Sequence, residues 1–506
     1  MTRNRLLFLA ACAGYHVGSI PVWGQSIDST RTTTVQVEAG ALVTNSGYTP
    51  FWLRANQLGT VPLKGSIGTL RLGIHSDYRS TKRDGQTRHF DWGYGIETVV
   101  NTGVINQFII PEAYAKIRFR ALELYAGRRR TIAGLVDTLL TSGAYSWSGN
   151  ALPIPKVQIG TIGYTPLGFT KGFVAVNAFF NHGWFNNGFV EHSYLHQKAI
   201  YFRFGKPNSR FKVYAGGNHE VQWGGYAPSL AGISSLSGQQ DGRFESNLNA
   251  YYRVVSTLRG TETRPTTPGV INIDEANRIG NHLGSFDGGL EVSVGSYQLL
   301  AYRQNLYETG ALYYLTNLAD GLNGLRIQRQ NKGTGWLSVD HLLIEFLYTK
   351  SQGGDEFVLD DPQRRGRNNY FNHSQYQDGW MYLGRAIGTP FLSPQTEVRT
   401  DLPPSRSIAN NRVSLWHVGI HGYIAQRISW LAKLSYSRNY GTYDIPYPDG
   451  TNQLSALLTL NTPLNLPVLG NSMLNTSFGL DSGTLLPSSA GCFISIRKAL
   501  NLKGAN

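Results

Sequence analysis

The stretch Ala113-Tyr114-Ala115-Lys116-Ile117-Arg118-Phe119-Arg120 decides the fold. Ala113, Ala115, Ile117 and Phe119 fall on one parity, and Tyr114, Lys116, Arg118 and Arg120 on the other. A period of two is the signature of a β-strand. Three cations on one face do not suit a dry protein core, while the opposite face is apolar throughout. In lipid every backbone N–H and C=O must be paired within the protein, so a β protein crosses a membrane only as a closed barrel. Its strands then alternate apolar outward and polar inward.

The same period recurs on both sides of this stretch. Leu122, Leu124 and Ala126 oppose Glu123 and Tyr125; Leu70, Leu72 and Ile74 oppose Arg71, Gly73 and His75. Further on, Trp416, Val418 and Ile420 oppose His417, Gly419 and His421, and Trp430, Ala432, Leu434 and Tyr436 oppose Leu431, Lys433, Ser435 and Ser437. A soluble sandwich with one buried face would alternate too. Length separates the two readings, because the 506 residues run on from about position 32 without a linker or charge block, and a sandwich of that size should split into domains. Charged residues are 15%, against roughly 25% in ordinary soluble domains. With Gly 58, Tyr 28, Phe 22 and Trp 10, the composition favours strands over helices. The expectation is an all-β protein, a transmembrane antiparallel β-barrel of about 16–18 strands, each of about 9–11 residues.

Residues 25–506 read as one barrel domain. Asp320-Gly321, Asn323-Gly324, Asp378-Gly379 and Asp449-Gly450 suit tight turns or loop tips. The Pro-, Gly- and Asn-rich stretches 44–69, 131–160, 226–245, 260–285 and 351–410 read as longer loops, caps or an inward plug. Residues 1–24 read as a secretory signal peptide: Arg3 and Arg5, a short apolar core from Leu6 to Gly14, and Val22-Trp23-Gly24 at the cleavage site. Leu9-Ala10-Ala11-Cys12 offers a lipoprotein box as the alternative. Cys12 and Cys492 are the only cysteines, so loss of the leader leaves no pair for an intrachain disulfide. The tail continues from Phe493 to Asn506 without the terminal aromatic expected of a barrel insertion signal. The formal charge is +14, and loss of Arg3 and Arg5 leaves +12. Such a surface suits acidic polysaccharide or lipopolysaccharide, or is simply solvated.

Glu112-Ala113-Tyr114, Leu124 through Arg129, Ser142-Gly143 and Trp147-Ser148-Gly149-Asn150-Ala151-Leu152-Pro153-Ile154-Pro155-Lys156 resemble the Wzi capsule-assembly family. So do His182-Gly183-Trp184-Phe185, Tyr194 through Lys198, Gly217-Asn218-His219, Asn281 through Ser285, Tyr370-Phe371-Asn372, Gly379-Trp380 and Asn439 through Tyr443. The resemblance covers about residues 35–500. It implies an outer-membrane barrel, eighteen-stranded in the family, that acts without catalysis as a surface lectin holding secreted capsule polymer. The resemblance assigns no sugar-binding residue in this chain, so contacts must be read from the residues themselves.

A pyranose has an apolar face and a polar rim, which pairs it with Trp or Tyr and with Asn, Arg or His. Trp147, Asn150, His182 and Trp184 form one candidate cluster, the alternative being an interfacial aromatic girdle or loop packing. Arg364, Arg365, Arg367, Asn368, Tyr370, Tyr376 and Trp380, with Asn369 and Asn372, form a second, the alternative being a solvated loop or one meeting lipopolysaccharide phosphates. Lys116, Arg118, Arg120, Asn218, His219 and Glu345 are candidate lumen groups, Glu345 and Glu123 as countercharges to lumen cations.

No metal site or cofactor is expected. His219-Glu220 begins a zinc-protease pattern, but Trp223 stands where the second His belongs. Phosphate loops, nucleophile elbows and paired-cysteine motifs are lacking, so no catalytic residue is assigned. Nucleic acid is not an expected partner, because no basic helix or aromatic RNA-binding motif appears. The expected partners are capsular or other surface polysaccharide and the lipid and lipopolysaccharide of the bacterial outer membrane, with capsule export machinery as a further class to consider. The competing functions are a porin or oligosaccharide channel and, third, an outer-membrane hydrolase.

Overall fold

The structure, a computed structural model, describes residues 31–503 apart from 80–88, 233–238, 258–278, 309–310, 332, 359–360, 362–363 and 365. The proposed signal peptide, the lipoprotein box and Arg365 lie outside the described residues. Eighteen antiparallel strands close into a barrel. The first half runs β1 (Thr32–Thr44), β2 (Ile67–Ser76), β3 (Phe90–Gly103), β4 (Gln107–Phe119), β5 (Leu122–Arg128), β6 (Lys156–Thr161, resuming at Thr165–Pro166), β7 (Val174–Trp184), β8 (Tyr194–Phe204) and β9 (Phe211–Trp223). The second half runs β10 (Asn281–Val294), β11 (Tyr297–Tyr307), β12 (Gly321–Arg329), β13 (Leu337–Tyr348), β14 (Val413–Ile424), β15 (Ile428–Asn439), β16 (Asn452–Leu466), β17 (Gly470–Gly483) and β18 (Ser489–Lys503). Neighbours in sequence are neighbours in the sheet, and β1 closes on β18 from Thr32↔Lys503 to Thr44↔Gly491, which removes both edges.

The parity read from Ala113–Phe119 is the parity of the wall. Ile117 and Phe119 are exposed on the outer surface, as are Leu70, Leu72, Ile74, Trp416, Leu434 and Tyr436. Lys116 is buried on the inner face and pairs with Asp77 at 2.6 Å, and the Arg118 guanidinium lies 4.9 Å from the Tyr78 ring. Arg120 departs from the expectation: it sits in the two-residue turn between β4 and β5 at φ 55°, so it belongs to a barrel end and not to the lumen. Asn323-Gly324 is not a turn either, but lies within β12. The Tyr302 ring fills the space a Cβ on Gly324 would need, so that glycine makes room for a lumen side chain. Strand also replaces loop from Lys156 and from Asn281.

Connections segregate by end. One end carries short turns such as 120–121, 295–296, 425–427 and 467–469, together with both ends of the described chain; the other carries 45–66, 129–155, 224–280 and 349–412. These are called the turn end and the loop end below.

Three loop-end connections fold inward and pack on one another across the lumen. In 129–155, Arg129 pairs with Glu123 of β5 at 2.5 Å and Arg130 Nε with Glu112 of β4 at 3.0 Å. On the far wall the Leu135 amide donates to Asp287 of β10, Asp137 meets His341 of β13 at 2.8 Å, and His417 Nε2 of β14 donates to the Leu140 carbonyl at 2.7 Å. In 45–66 the short helix α1 (Phe51–Arg54) is held by Asp481, which accepts from the Phe51 amide at 2.7 Å, and by Trp52 Nε1 donating to Ser435 at 3.1 Å. In 349–412, Asp320 accepts from the amides of Ser351 and Gln352 and from the Tyr370 hydroxyl at 2.8 Å. An apolar cluster including Trp52, Tyr145, Trp147, Tyr370, Trp380 and Phe391 fills the space between them. The greasy core of this protein is therefore a plug inside the barrel mouth.

Candidate functional site

The plug presents its outer surface at the loop end, and the described side chains there divide into a cleft and a rim. The cleft, about 330 Å³, lies between the β3–β4 hairpin and the plug and is lined by Pro62, Ile105, Gln107, Ile109, Leu383 and Thr396 among others, with Tyr382, Arg385 and Glu397 at its base. Gln107, Leu383 and Thr396 are exposed there. Apolar sides and polar groups at the margin and base together are the surface a sugar ring requires.

The base of the cleft is fixed by an ion-pair network joining two plug segments. Glu397 accepts from Arg54 at 2.5 Å and from Arg385 at 2.9 Å, and Arg385 also donates to the Val61 carbonyl at 2.9 Å. Arg54 and Glu397 are each 3% exposed. Burial pushes the Glu397 carboxyl up, and the Arg54 and Arg385 guanidinium groups more than offset that, holding it below its ordinary value.

The rim cluster sits where β13, β14 and β15 meet their loops. Lys350 Nζ lies 4.2 Å from the Tyr440 ring centre and the Arg412 guanidinium 3.7 Å from that of Tyr443. Arg412 Nε donates to the Lys350 carbonyl at 3.0 Å and the Tyr443 hydroxyl to the Ser351 carbonyl at 2.8 Å, so this cation and its ring are both held by the backbone. Cations over half-buried rings supply charge and stacking at one place. Tyr440 and Tyr443 stood in the family-like string, but nothing in the sequence joined them to Lys350 and Arg412, which lie 90 and 28 residues upstream of Tyr440.

The predicted clusters are distributed differently. Trp147 and Asn150 are buried in the plug, where Asn150 Nδ2 donates to the Ala386 carbonyl at 2.9 Å, whereas His182 and Trp184 point from β7 to the outer wall. The structure does not bring these four together. In the second cluster Asn368, Tyr370, Tyr376 and Trp380 are all buried in the plug, and among its described residues only Arg364 and Arg367 are exposed, each paired with an acid, Glu356 and Asp444. Of the lumen candidates, Asn218 faces inward and is hydrogen-bonded to Ser146, Tyr201 and Ser285. His219, one residue on, necessarily faces outward and meets His282 at 2.9 Å, which corrects its lumen placement. Glu345 is not a simple countercharge: it accepts from Thr141, from the Ser142 amide and from Tyr302, and so anchors the plug.

Two clusters invite a chemical reading that their partners decide otherwise. His75, Glu97 and Glu112 offer close ligand atoms. Arg130 binds both carboxylates and Arg71 lies 3.6 Å from Glu97, so the group is an ion-pair node. His417 Nδ1 accepts from Ser435 at 2.7 Å, but the pair is buried beneath Trp52 and its other nitrogen is bound to the plug backbone.

Among solved structures, the chain is similar to Wzi of Escherichia coli, described as an outer-membrane protein involved in group 1 capsule assembly and a carbohydrate-binding β-barrel, with 16% identity, a TM-score of 0.56 and coverage of 92% of this chain and 85% of that one. This likeness shows the outer-membrane barrel fold. Acinetobacter baumannii OccAB4 aligns over 94% of this chain and 98% of its own with 9% identity and a TM-score of 0.44, and Pseudomonas aeruginosa OccD3 over 93% and 91% with 10% identity and a TM-score of 0.43. No protein family and no curated protein matches the chain by sequence.

Proposed function

We propose that this protein is a non-enzymatic outer-membrane lectin, which holds a surface polysaccharide such as capsule at the face formed by the plug. The observation that carries the reading is the plug itself: a mouth packed with Trp52, Tyr145, Trp147, Tyr370 and Trp380 is a platform and not a passage. Outer-membrane barrels place short turns in the periplasm and longer loops outside, which sets the loop end toward the cell exterior. The cleft takes a sugar ring, and the rim cluster of Lys350, Arg412, Tyr440 and Tyr443 takes an acidic group or a second ring. Many such weak contacts along a repeating polymer retain it by avidity.

The test is a deletion strain complemented with wild type or variants and scored for cell-attached against released polymer. The pair Lys350→Ala and Arg412→Ala is expected to lower attached polymer several-fold, more at low salt than at high, with normal barrel insertion. Neutralising Arg364 and Arg367 should cost less, since each already faces an acid. Attachment that ignores the Lys350 and Arg412 changes at every salt concentration rejects the rim assignment. Gln107→Ala with Thr396→Ala tests the cleft in the same assay, and full retention there would remove it. A porin reading predicts steady conductance of the wild-type protein in planar bilayers, and the lectin reading predicts none.

A further inference from the structure

One sector of the outer wall breaks the apolar rule. At the loop ends of β7 to β10 the outward positions include His182, His196, Lys198, His219 and His282, while lower on the same strands they are apolar, with Ile200, Val213, Phe286 and Leu290 all exposed. Polar side chains at a lipid-facing position are costly unless they are covered or reach the interface. Here a helix covers His182, His196 and Lys198, while His219 meets His282 and His282 bonds the Ile279 carbonyl. The connection after β9 folds back over the outside of the wall as α2 (Leu248–Ser256), capped by Asn247, whose side chain accepts from the Ala250 amide.

The helix is amphipathic in a particular sense. Ala250 and Val254 are fully buried against Val221 and Trp223 of β9. The Tyr251 ring lies 5.7 Å from His182, 6.0 Å from His196 and 5.4 Å from Trp223. Lys198 Nζ donates to the Val255 carbonyl near the helix C-terminus, where a cation is favoured. Leu248 and Tyr252, one turn apart, point away from the wall and are 87% and 62% exposed. Both are carried by a helix that packs on the outer wall, where Trp184 is exposed.

Depth follows from strand geometry. β9 has 13 residues. At about 3.3 Å each and a tilt of about 40° they rise about 30 Å, the thickness of a hydrocarbon layer. With Phe211 at one boundary, Trp223 and the helix on it stand at the other, at headgroup level.

We propose that α2 is an interfacial anchor: it caps the polar sector of the wall and inserts Leu248 and Tyr252 into the outer-leaflet lipid surface. Its occupant is lipid, because the exposed pair extends the face that already meets hydrocarbon. The inference is independent of any polymer.

Spin labels read this directly. In a Cys492→Ser background, Leu248→Cys and Tyr252→Cys are labelled in the full barrel reconstituted in phospholipid vesicles, and accessibility to oxygen and to a water-soluble nickel chelate is compared. Leu290→Cys on the wall and Asn249→Cys on the solvated side of the helix give the two limits, and heat-modifiable gel migration confirms folding. Labels at 248 and 252 are expected about 5–10 Å below the headgroup boundary, favouring oxygen. Nickel accessibility equal to that at 249 would overturn the proposal by placing the helix in water. Low accessibility to both reagents would overturn it by showing a second protein copy on this face.

Discussion

Replacing Trp380 with alanine should turn a closed barrel into a leaking one. Trp380 is fully buried, donates from Nε1 to the Ser146 carbonyl at 2.7 Å, and packs with ring centres 6.3 Å from Trp147 and 6.0 Å from Phe185. It thus ties 349–412 to 129–155 and to the connection after β7. Trp-to-Ala changes in a packed core cost about 3–5 kcal/mol, and the orphaned carbonyl adds about 1 kcal/mol or more. The eighteen-stranded wall has its own complete ladder and does not depend on this contact. The expected result is a barrel that still inserts and shows heat-modifiable migration, whose plug segments become sensitive to protease and whose planar-bilayer conductance rises from none to measurable steps. If the variant stays closed and protease-resistant, the plug does not depend on its aromatic centre and the platform argument fails.

That prediction rests on a part of the molecule the sequence disclosed unevenly. The wall was legible because parity is local: Ala113 to Phe119 already separate lipid from lumen, and their structural partners in β3 and β5 repeat the same alternation. The stretch 351–410 was legible as a plug candidate, since its Pro, Gly and Asn content does not suit hydrocarbon. What could not be read was which side chains the plug would consume. Tyr370, Tyr376 and Trp380 look like sugar platforms in isolation, and only contacts with residues far away in the chain, such as Asp320 and Ser146, reveal them as core. His182 and Trp184 lie apart from the plug for a simpler reason: they share parity with exposed Phe180, whereas Asn181 and Gly183 between them face inward, a signal already present in the string. The rim cluster was beyond sequence, since it forms from the ends of three strands that only the barrel's closure order brings together.

A second large effect is expected at Glu397, where charge and not packing holds the plug. Its carboxylate pairs with two buried guanidinium groups, Arg54 at 2.5 Å and Arg385 at 2.9 Å. Glu397→Gln preserves shape and removes the charge that pairs with both cations, a change worth about 3–5 kcal/mol when one partner of a buried pair is removed. Glu397 ionises more readily in the folded protein than its ordinary value of 4.5, so the folded state binds fewer protons than the unfolded one in that range. The stabilisation it provides is therefore complete above about pH 5 and is lost as pH falls through the lowered folded value. Wild-type plug protection, read by proteolysis of 349–412 or by bilayer conductance without polymer, should fall below about pH 4.5 as Glu397 is protonated. Glu397→Gln should be loosened already at pH 7 and should lose the part of the acid dependence that this carboxylate contributes. A variant that matches wild type at pH 7, or an acid limb that survives the substitution unchanged, would show that the latch is held by packing around the arginines and not by the charge between them.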